Sequence, residues 1–252
     1  MKTVHATWER ENLGVNAYEI YLDDQDTLEQ LRQTEQTLIA NGGEYLVVKT
    51  PVNRGDLLFG LPPLGYSFVE TLFRVAVERG AYRVPQSVAR FDRGLSVVRR
   101  TAAAEQEAAF ARIREGVFKS DRISMDPFFP PEKTATRYIN WIRQLLAQGS
   151  MLFEVLLRDA PVGVFIIKRI NEKTVDPVLM GLYREDLNRG LGTLLHKKTL
   201  DTCFEQECDR ITSTFVSNNA KILRVYTNIG ASITDVLYTY VKHVPENTEE
   251  MV

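Results

Sequence analysis

Residues 187–195 read Leu-Asn-Arg-Gly-Leu-Gly-Thr-Leu-Leu, and this stretch decides the fold class. It follows an apolar run that ends at Leu182, and its last residues open a second apolar run. The first N–H groups of a helix have no partner within the helix, the helix dipole adds positive charge there, and glycines let an anion approach the chain. Glycines before a helix are also ordinary turn residues. The stretch alone therefore allows either an anion-binding loop or a plain helix start.

A complete helix pattern follows farther along the chain, from Asn219 to Asn228. Asn218 or Asn219 can cap its N-terminus, and Gly230 can supply the left-handed residue that ends it. Apolar residues occupy the i, i+3, i+4 and i+7 positions, namely Ile222, Val225, Tyr226 and Ile229. Taken alone, this periodicity makes Tyr226 one more core aromatic.

Together the loop and the helix resemble the GNAT superfamily of acyl-CoA-dependent N-acyltransferases. The pyrophosphate loop of that superfamily reads (Gln/Arg)-x-x-Gly-x-(Gly/Ala), and Gly190 and Gly192 match its two small positions. Asn219 and Tyr226 fall on the Asn and Tyr of the superfamily. Leu187 departs from the pattern at its first position, so backbone amides and Arg189 must hold the phosphates.

The resemblance implies acetyl-CoA as co-substrate, a small-molecule primary amine as acceptor, and no metal. In the superfamily the pantetheine arm pairs with the strand before the loop, here Met180 to Tyr183. It enters through a splay between this strand and the next, Arg210 to Phe215, and an N–H near Leu182 stabilises the oxyanion. The residues expected to bind the coenzyme are Met180, Leu182, Tyr183, Leu187, Asn188, Arg189, Gly190, Leu191, Gly192, Thr193, Asn219 and Tyr226.

Two residues are expected to take part in catalysis, Tyr226 and Asn219. A tyrosine hydroxyl is protonated at neutral pH and can donate its proton to the departing thiolate. Asn219 is expected to order the helix start and to hydrogen-bond the coenzyme arm. His196 is expected to be solvated or to cap a helix, so the general base is expected to be a chain of water molecules.

Composition narrows the class of protein. The 252 residues include 31 basic and 33 acidic side chains, and this near balance predicts no nucleic-acid or membrane partner. The chain shows neither a membrane-length apolar run nor a signal peptide, so a cytoplasmic location is expected. Cys203 and Cys208 are too few for a disulfide framework and are expected to be reduced. Three histidines make a histidine metal cluster improbable.

The remaining patterns predict a mixed α/β sheet. Strands are predicted at 95–99, 151–157, 162–169, 175–183, 210–215 and 232–242. Helices are predicted at 102–114, with Thr101 as its cap, at about 132–148 and at 219–228, together with a well-buried helix after the glycine loop. Their order is that of the superfamily, which implies a GNAT fold in the C-terminal part.

The N-terminal part repeats the C-terminal end at an offset of 165 residues, pairing Asn53 with Asn218 and Gly65 with Gly230. The first copy has Leu61 where the second has Tyr226, and no glycine-rich loop precedes it. We therefore expect residues 1–91 to form a degenerate GNAT-like accessory domain. Residues 92–252 are expected to form the acetyl-CoA-binding catalytic domain.

This two-part layout resembles the dTDP-fucosamine acetyltransferases, which acetylate the 4-amino group of a dTDP-linked 4-amino-4,6-dideoxy sugar. By that resemblance, Arg122, Asp126, Tyr138 and Trp141 are candidate acceptor-binding residues, although Asp126-Pro127 also fits a turn and Tyr138 and Trp141 also fit a helix packing pair. Two alternatives stay open. The acceptor is a peptide, polyamine or other small amine, or the chain is a non-catalytic acyl-CoA-binding module. A homodimer is plausible by resemblance.

Overall fold

The structure is a computed structural model that describes residues 1–89, 94–184 and 190–245. Its strands are β1 (Lys2–His5), β2 (Ala17–Tyr21), β3 (Tyr45–Pro51), β4 (Ser67–Glu78), β5 (Leu95–Arg99), β6 (Met151–Leu157), β7 (Ala160–Asn171), β8 (Thr174–Leu182), β9 (Arg210–Val216) and β10 (Ser232–His243). Its helices are α1 (Thr7–Asn12), α2 (Leu28–Ala40), α3 (Gly55–Gly60), α4 (Gln86–Ala89), α5 (Ala103–Arg114), α6 (Pro131–Ala147), α7 (Leu191–Glu205) and α8 (Ala220–Asn228). None of the helices in the described ranges is long and apolar enough to cross a membrane.

The chain divides into two compact units, and the first comprises Met1–Leu72 and Val236–Val252. Its strands neighbour one another in the order β1, β2, β3, β10, β4. β1 pairs antiparallel with β2, β2 parallel with β3, and β3 antiparallel with β10. Its core is an apolar cluster that includes Ile20, Leu31, Leu46, Leu57 and Tyr66.

The second unit comprises Phe73–Asp235, with the strand order β4, β9, β8, β7, β6, β5. β5, β6, β7 and β8 pair antiparallel, and β8 pairs parallel with β9. One apolar cluster contains residues of α7 and α8, and another contains residues of α5 and α6. Parallel and antiparallel pairs therefore occur together, and the predicted mixed α/β fold class is confirmed. Cys203 and Cys208 are buried free thiols.

The starts of α6 and α5 differ in how well the local sequence predicted them. Pro131 occupies the first turn of α6, where its missing N–H costs nothing. The expectation that Thr101 caps α5 is wrong, because Ala102 stands at the cap position. The Glu105 carboxylate accepts a hydrogen bond from the Ala102 N–H at 3.2 Å, so a side chain within the first turn satisfies this donor instead.

The internal repeat is also visible in where the strands begin and end. β3 and β9 differ by 165 residues at both ends, and so do β4 and β10. Gly65 and Gly230 stand at equivalent places with φ of 85° and 84°, a left-handed conformation that glycine adopts without strain. The compact units do not follow the repeat, because most of β10 belongs to the first unit and the second half of β4 to the second. The division into domains at residues 91 and 92 stays a prediction about function.

Candidate active site

β8 and β9 pair only where they begin. Their parallel register holds at Thr174–Arg210 and Val175–Ile211 and stops there, although β8 continues to Leu182 and β9 to Val216. Pro177 has no N–H for a ladder, and Val178 is an extra residue in β8, since Ile166 faces Leu179 while Ile167 faces Pro177. The two strands therefore separate toward their carboxyl ends, which leaves backbone groups of β8 open on that side.

The equivalent strands of the first repeat stay closed. β2 and β3 pair in parallel along all of β2, from Ala17–Tyr45 to Tyr21–Lys49. Lys49 reinforces the pairing, because its Nζ donates to Glu19 Oε2 at 2.7 Å and to the Tyr21 hydroxyl at 2.9 Å. The opening between strands is thus a property of the second copy.

α7 begins beside this opening, directly after Gly190. Gly190 has φ of 90°, and a side chain added there would meet no atom of the described residues within 4 Å. The first turn carries no acidic residue, so the N–H groups of Leu191, Gly192 and Thr193 have no carboxylate in that turn to compete with an anion. Leu187, Asn188 and Arg189 lie outside the described residues.

The end of β8 presents N–H groups to the opening. The Tyr183 N–H donates to Val162 O of β7 at 3.0 Å. Because successive N–H groups of a strand point to opposite sides, the N–H groups of Leu182 and Met180 face away from β7 and toward the opening. They are well placed to pair with an extended chain or to stabilise an oxyanion.

The Tyr183 side chain has a structural partner. Its hydroxyl donates to Glu154 Oε1 at 2.5 Å, and burial together with the Glu154 carboxylate raises the pKa of Tyr183. Glu154 is only 1% exposed and is held by Arg100 at 2.8 Å and by Arg112 at 3.0 Å. The side chain of Tyr183 therefore anchors the end of β8, and only its backbone is available to a coenzyme.

Tyr226 lies on α8 with its ring buried to 2% exposure. It stacks on Phe215 of β9, with centroids 5.3 Å apart and planes at 10°. Its hydroxyl has no hydrogen-bond partner among the described residues. Burial raises its pKa and Ser213 opposes that rise, although Ser213 lies outside hydrogen-bond geometry. The site thus holds a protonated, unpartnered hydroxyl.

His196 corrects the expectation of a solvated or capping histidine. It lies on α7 at 3% exposure, and its ring meets the Tyr226 ring edge-on at a centroid distance of 4.8 Å. Nε2 has no hydrogen-bond partner among the described residues, and burial lowers the pKa of His196 to about 4. The imidazole is therefore neutral at physiological pH.

Asn219 occupies the cap position of α8, as one of the two predicted alternatives. Its side chain makes no capping hydrogen bond, so the amide is not used to satisfy the helix. It is half-buried. This leaves the amide able to bind a ligand at the start of α8.

Asp176 was missed by sequence reasoning, although an acid within the apolar strand β8 was a usable signal. It lies next to Val175, the last residue of β8 that pairs with β9, and opposite Lys168 of β7. Burial raises its pKa to about 7 and Lys168 opposes that rise. Its negative charge also raises the pKa values of Tyr226 and Cys203. A half-buried carboxyl that titrates near neutrality thus stands where the strands separate.

The four acceptor candidates have different surroundings. Tyr138 lines a cavity beside α6 and is buried, and Trp141 lies 6.2 Å from it, ring to ring, against the α5 and α6 cluster. Arg122 acts electrostatically on Tyr138, whose pKa burial raises. Asp126 accepts the Phe128 N–H at 3.0 Å, as in the predicted turn. Tyr138 is therefore the candidate that lines the cavity beside α6.

Neither a protein-family profile nor a curated protein sequence matches this chain. Solved structures do resemble it. A GCN5-related N-acetyltransferase from Kribbella flavida is 17% identical, with a TM-score of 0.57 over 92% of this chain and 83% of that one. One from Sphaerobacter thermophilus is 11% identical, with a TM-score of 0.64 over 99% and 78%.

A tandem GNAT protein from the clavulanic acid biosynthesis pathway is 12% identical, with a TM-score of 0.55 over 87% of this chain and 70% of that one. Identities this low establish architecture and not chemistry. The chain therefore has the fold of the GCN5-related N-acetyltransferases.

Proposed function

We propose that this chain is an N-acetyltransferase that moves an acetyl group from acetyl-CoA to a primary amine by direct attack. The observation that carries the proposal is the opening between β8 and β9, with the free N-terminus of α7 beside it and the unpartnered Tyr226 hydroxyl on α8. The opening can hold a thioester, the start of α7 can bind a diphosphate, and the hydroxyl can protonate a departing thiolate.

Coenzyme binding rests on backbone groups. The diphosphate is held by the N–H groups of Leu191, Gly192 and Thr193, because the first turn of α7 carries no acidic residue to compete with it. The pantetheine arm pairs with β8 through the Leu182 N–H, and its thioester end, which is farther from the diphosphate, reaches the Met180 N–H. Leu187, Asn188, Arg189 and Asn219 complete the proposed contacts. Backbone donors make the loss of a polar side chain at Leu187 tolerable.

In the reaction the amine nitrogen attacks the thioester carbonyl and a C–N bond forms. The carbonyl oxygen becomes an oxyanion, and the Met180 N–H stabilises it as a preorganised donor. The C–S bond then breaks as the carbonyl re-forms, and the thiolate takes the proton of the Tyr226 hydroxyl. The amide nitrogen loses its second proton, and this proton restores the tyrosine hydroxyl. Burial keeps that hydroxyl protonated until the thiolate appears.

Asp176 is the proposed general base, and it takes the proton through a chain of water molecules, because the strand between it and Met180 spans roughly 13 Å. A primary amine is bound as ammonium and must lose one proton before it attacks. A carboxyl that titrates near pH 7 accepts this proton well, since general-base catalysis is most effective when the pKa lies near the working pH. Its place at the separation of β8 and β9 puts it on the strand that holds the thioester.

The amino group of a nucleotide-linked sugar, a peptide amine and a polyamine are all acceptors to be tested. A non-catalytic acyl-CoA-binding module is less well supported, because it has no use for a buried unpartnered hydroxyl beside a near-neutral carboxyl. A cytoplasmic location and a homodimer remain predictions.

The direct test uses the purified chain. Calorimetry measures acetyl-CoA binding, and a free-thiol assay measures turnover with a panel of nucleotide-linked amino sugars, peptides, polyamines and simple amines. We expect binding, and thiol release that depends on an acceptor. Absence of acetyl-CoA binding would overturn the proposal, and binding without release for any acceptor would favour the binding module.

A further inference from the structure

A cavity of about 390 Å³ lies between the end of α5, the turn 115–119 and the first turns of α6. Its volume is in the range of sites for small molecules. The apolar part of its wall is formed by Ile113, Val117, Phe118, Ala135 and Tyr138. The Phe118 and Tyr138 rings contact each other at a centroid distance of 4.6 Å, which makes one side of the wall aromatic.

This cavity leads toward the end of β8. A second cavity of about 350 Å³ shares Glu115, Gly116, Val117 and Lys119 with the first and continues to Leu182, Tyr183 and Arg184. Gly181 makes the approach possible, because a Cβ there would meet Val117 Cγ1 at 2.3 Å. The turn therefore packs directly on the strand that is proposed to hold the thioester.

The charges around the first cavity cancel. Arg114 and Lys119 are matched by Glu115 and Glu132, and all four are exposed. Sites for a diphosphate use an open helix N-terminus or a surplus of cations, most often arginine forks. The lining residues offer no cation surplus, and the α6 start among them has Pro131, which lacks an N–H, and the acidic Glu132 in its first turn, so this cavity does not suit a nucleotide-linked sugar.

One polar group in the wall lacks a partner. Thr134 is 4% exposed and its hydroxyl makes no hydrogen bond to any residue in the described part of the chain. A buried hydroxyl left unpaired costs free energy, and a ligand that supplies one hydroxyl or carbonyl removes this cost. Apolar walls also disfavour an ammonium ion, which helps the amine reach its neutral, nucleophilic form.

We infer that the acceptor is a small primary amine with an apolar or aromatic body, held in this cavity with its amino group directed to the end of β8. The inference rests on the proposed function, which it deepens by naming the substrate class. Thr134 selects acceptors that carry one hydroxyl or carbonyl group, and the aromatic wall binds the apolar body.

The test compares acceptors on the full chain with acetyl-CoA. Phenylethylamine and phenylalaninol are expected to be acetylated with kcat/KM at least tenfold above that for spermidine or a dTDP-linked 4-amino-4,6-dideoxy sugar. Ala135→Leu, which fills the cavity, is expected to raise the acceptor KM tenfold or more and to leave the Kd for acetyl-CoA unchanged. Ala108→Leu on the exposed face of α5 is the matched control.

Thr134→Val gives a second readout, since it keeps the shape and removes the unpaired hydroxyl. It is expected to fold at least as well as the wild type and to lower the preference for phenylalaninol over phenylethylamine by threefold or more. If the chain binds acetyl-CoA but prefers the sugar nucleotide, or acetylates no apolar amine, the inference is wrong while the coenzyme site stands. If it binds no acetyl-CoA, the proposed function itself fails.

Discussion

The His196 ring lies edge-on to the Tyr226 ring, with centroids 4.8 Å apart and ring planes at 86°. Nε2 of the histidine and the hydroxyl of the tyrosine are both buried, and neither has a hydrogen-bond partner in the described part of the chain. Two unpaired polar groups side by side in a core cost stability, and such a cost is retained where a ligand meets the groups. Their contact marks the place where α7, α8 and β9 meet.

The buried histidine makes stability depend on pH. The pKa of His196 is about 4 when folded and 6.5 as the ordinary value, so the unfolded chain binds the extra proton first. The neutral form of His196 contributes to the free energy of unfolding fully above pH 6.5, and this contribution is lost as pH falls toward 4. The loss amounts to at most about 3 kcal/mol. In urea titrations His196→Phe is expected to lose less stability than the wild type over this window. Parallel losses in both proteins would show that His196 is not the cause.

Removal of the Tyr226 hydroxyl tests the proton donor. Tyr226→Phe is expected to lower kcat by roughly 100-fold or more, because the thiolate then leaves without a proton. Acetyl-CoA binding and the free energy of unfolding are expected to stay the same or improve, since an unpaired buried hydroxyl is removed.

The control for this change is Tyr66→Phe, which alters a buried tyrosine in the first unit whose hydroxyl also lacks a hydrogen bond to any described residue. Steady-state kinetics of both variants distinguish the loss of a proton donor at the site from the effect of removing any buried tyrosine hydroxyl. Unchanged turnover in Tyr226→Phe removes the residue from the mechanism.

Two glycines with the same backbone conformation test the phosphate site. Gly190 has φ of 90° and Gly149 has φ of 89°, and a Cβ at either meets no atom of the residues that the structure describes within 4 Å. Glutamate at each position carries a similar backbone cost of roughly 1–2 kcal/mol. Gly190→Glu also puts a carboxylate at the N-terminus of α7 and is expected to abolish acetyl-CoA binding in calorimetry. Gly149→Glu is expected to bind normally, and equal binding by both variants contradicts the phosphate assignment.

Asp176 is expected to set the pH dependence of turnover. With a pKa of about 7, kcat of the wild type rises as pH passes through neutrality and then levels off. In Asp176→Asn, kcat is expected to be at least 100-fold lower and no longer to rise with pH. Asp235→Asn, which removes only the exposed ion pair with Arg74 at 2.9 Å, is the control.

The Asp176 carboxyl also makes the free energy of unfolding depend on pH, in the direction opposite to that for His196. Because its folded pKa is above the ordinary 3.8, the wild type loses stability as pH rises from about 4 to 7. Asp176→Asn is expected to remove this loss, which denaturation at pH 5 and pH 8 measures. A persisting loss in the variant assigns it to other groups.

Elements that depend on neighbouring residues were predictable. Alternation and capping gave β5 and β6 at their observed bounds and α8 to within one residue. Gly230 ends α8 in the predicted left-handed conformation. The prediction that His196 is solvated or caps a helix was wrong because the apolar face of α7 is broad. Whether one position on this face meets water or Tyr226 depends on β9 and α8, which are distant in sequence.

By itself, the sequence determined the mixed α/β class, the repeat and the small residues of the loop, because helical periodicity, strand alternation and glycine φ angles are local properties. Tertiary structure alone decided that β8 and β9 separate while β2 and β3 stay paired, since strand pairing joins residues far apart in the chain. It also decided the pKa of Asp176 and the cavity beside Gly181, because burial and close approach depend on which elements pack together.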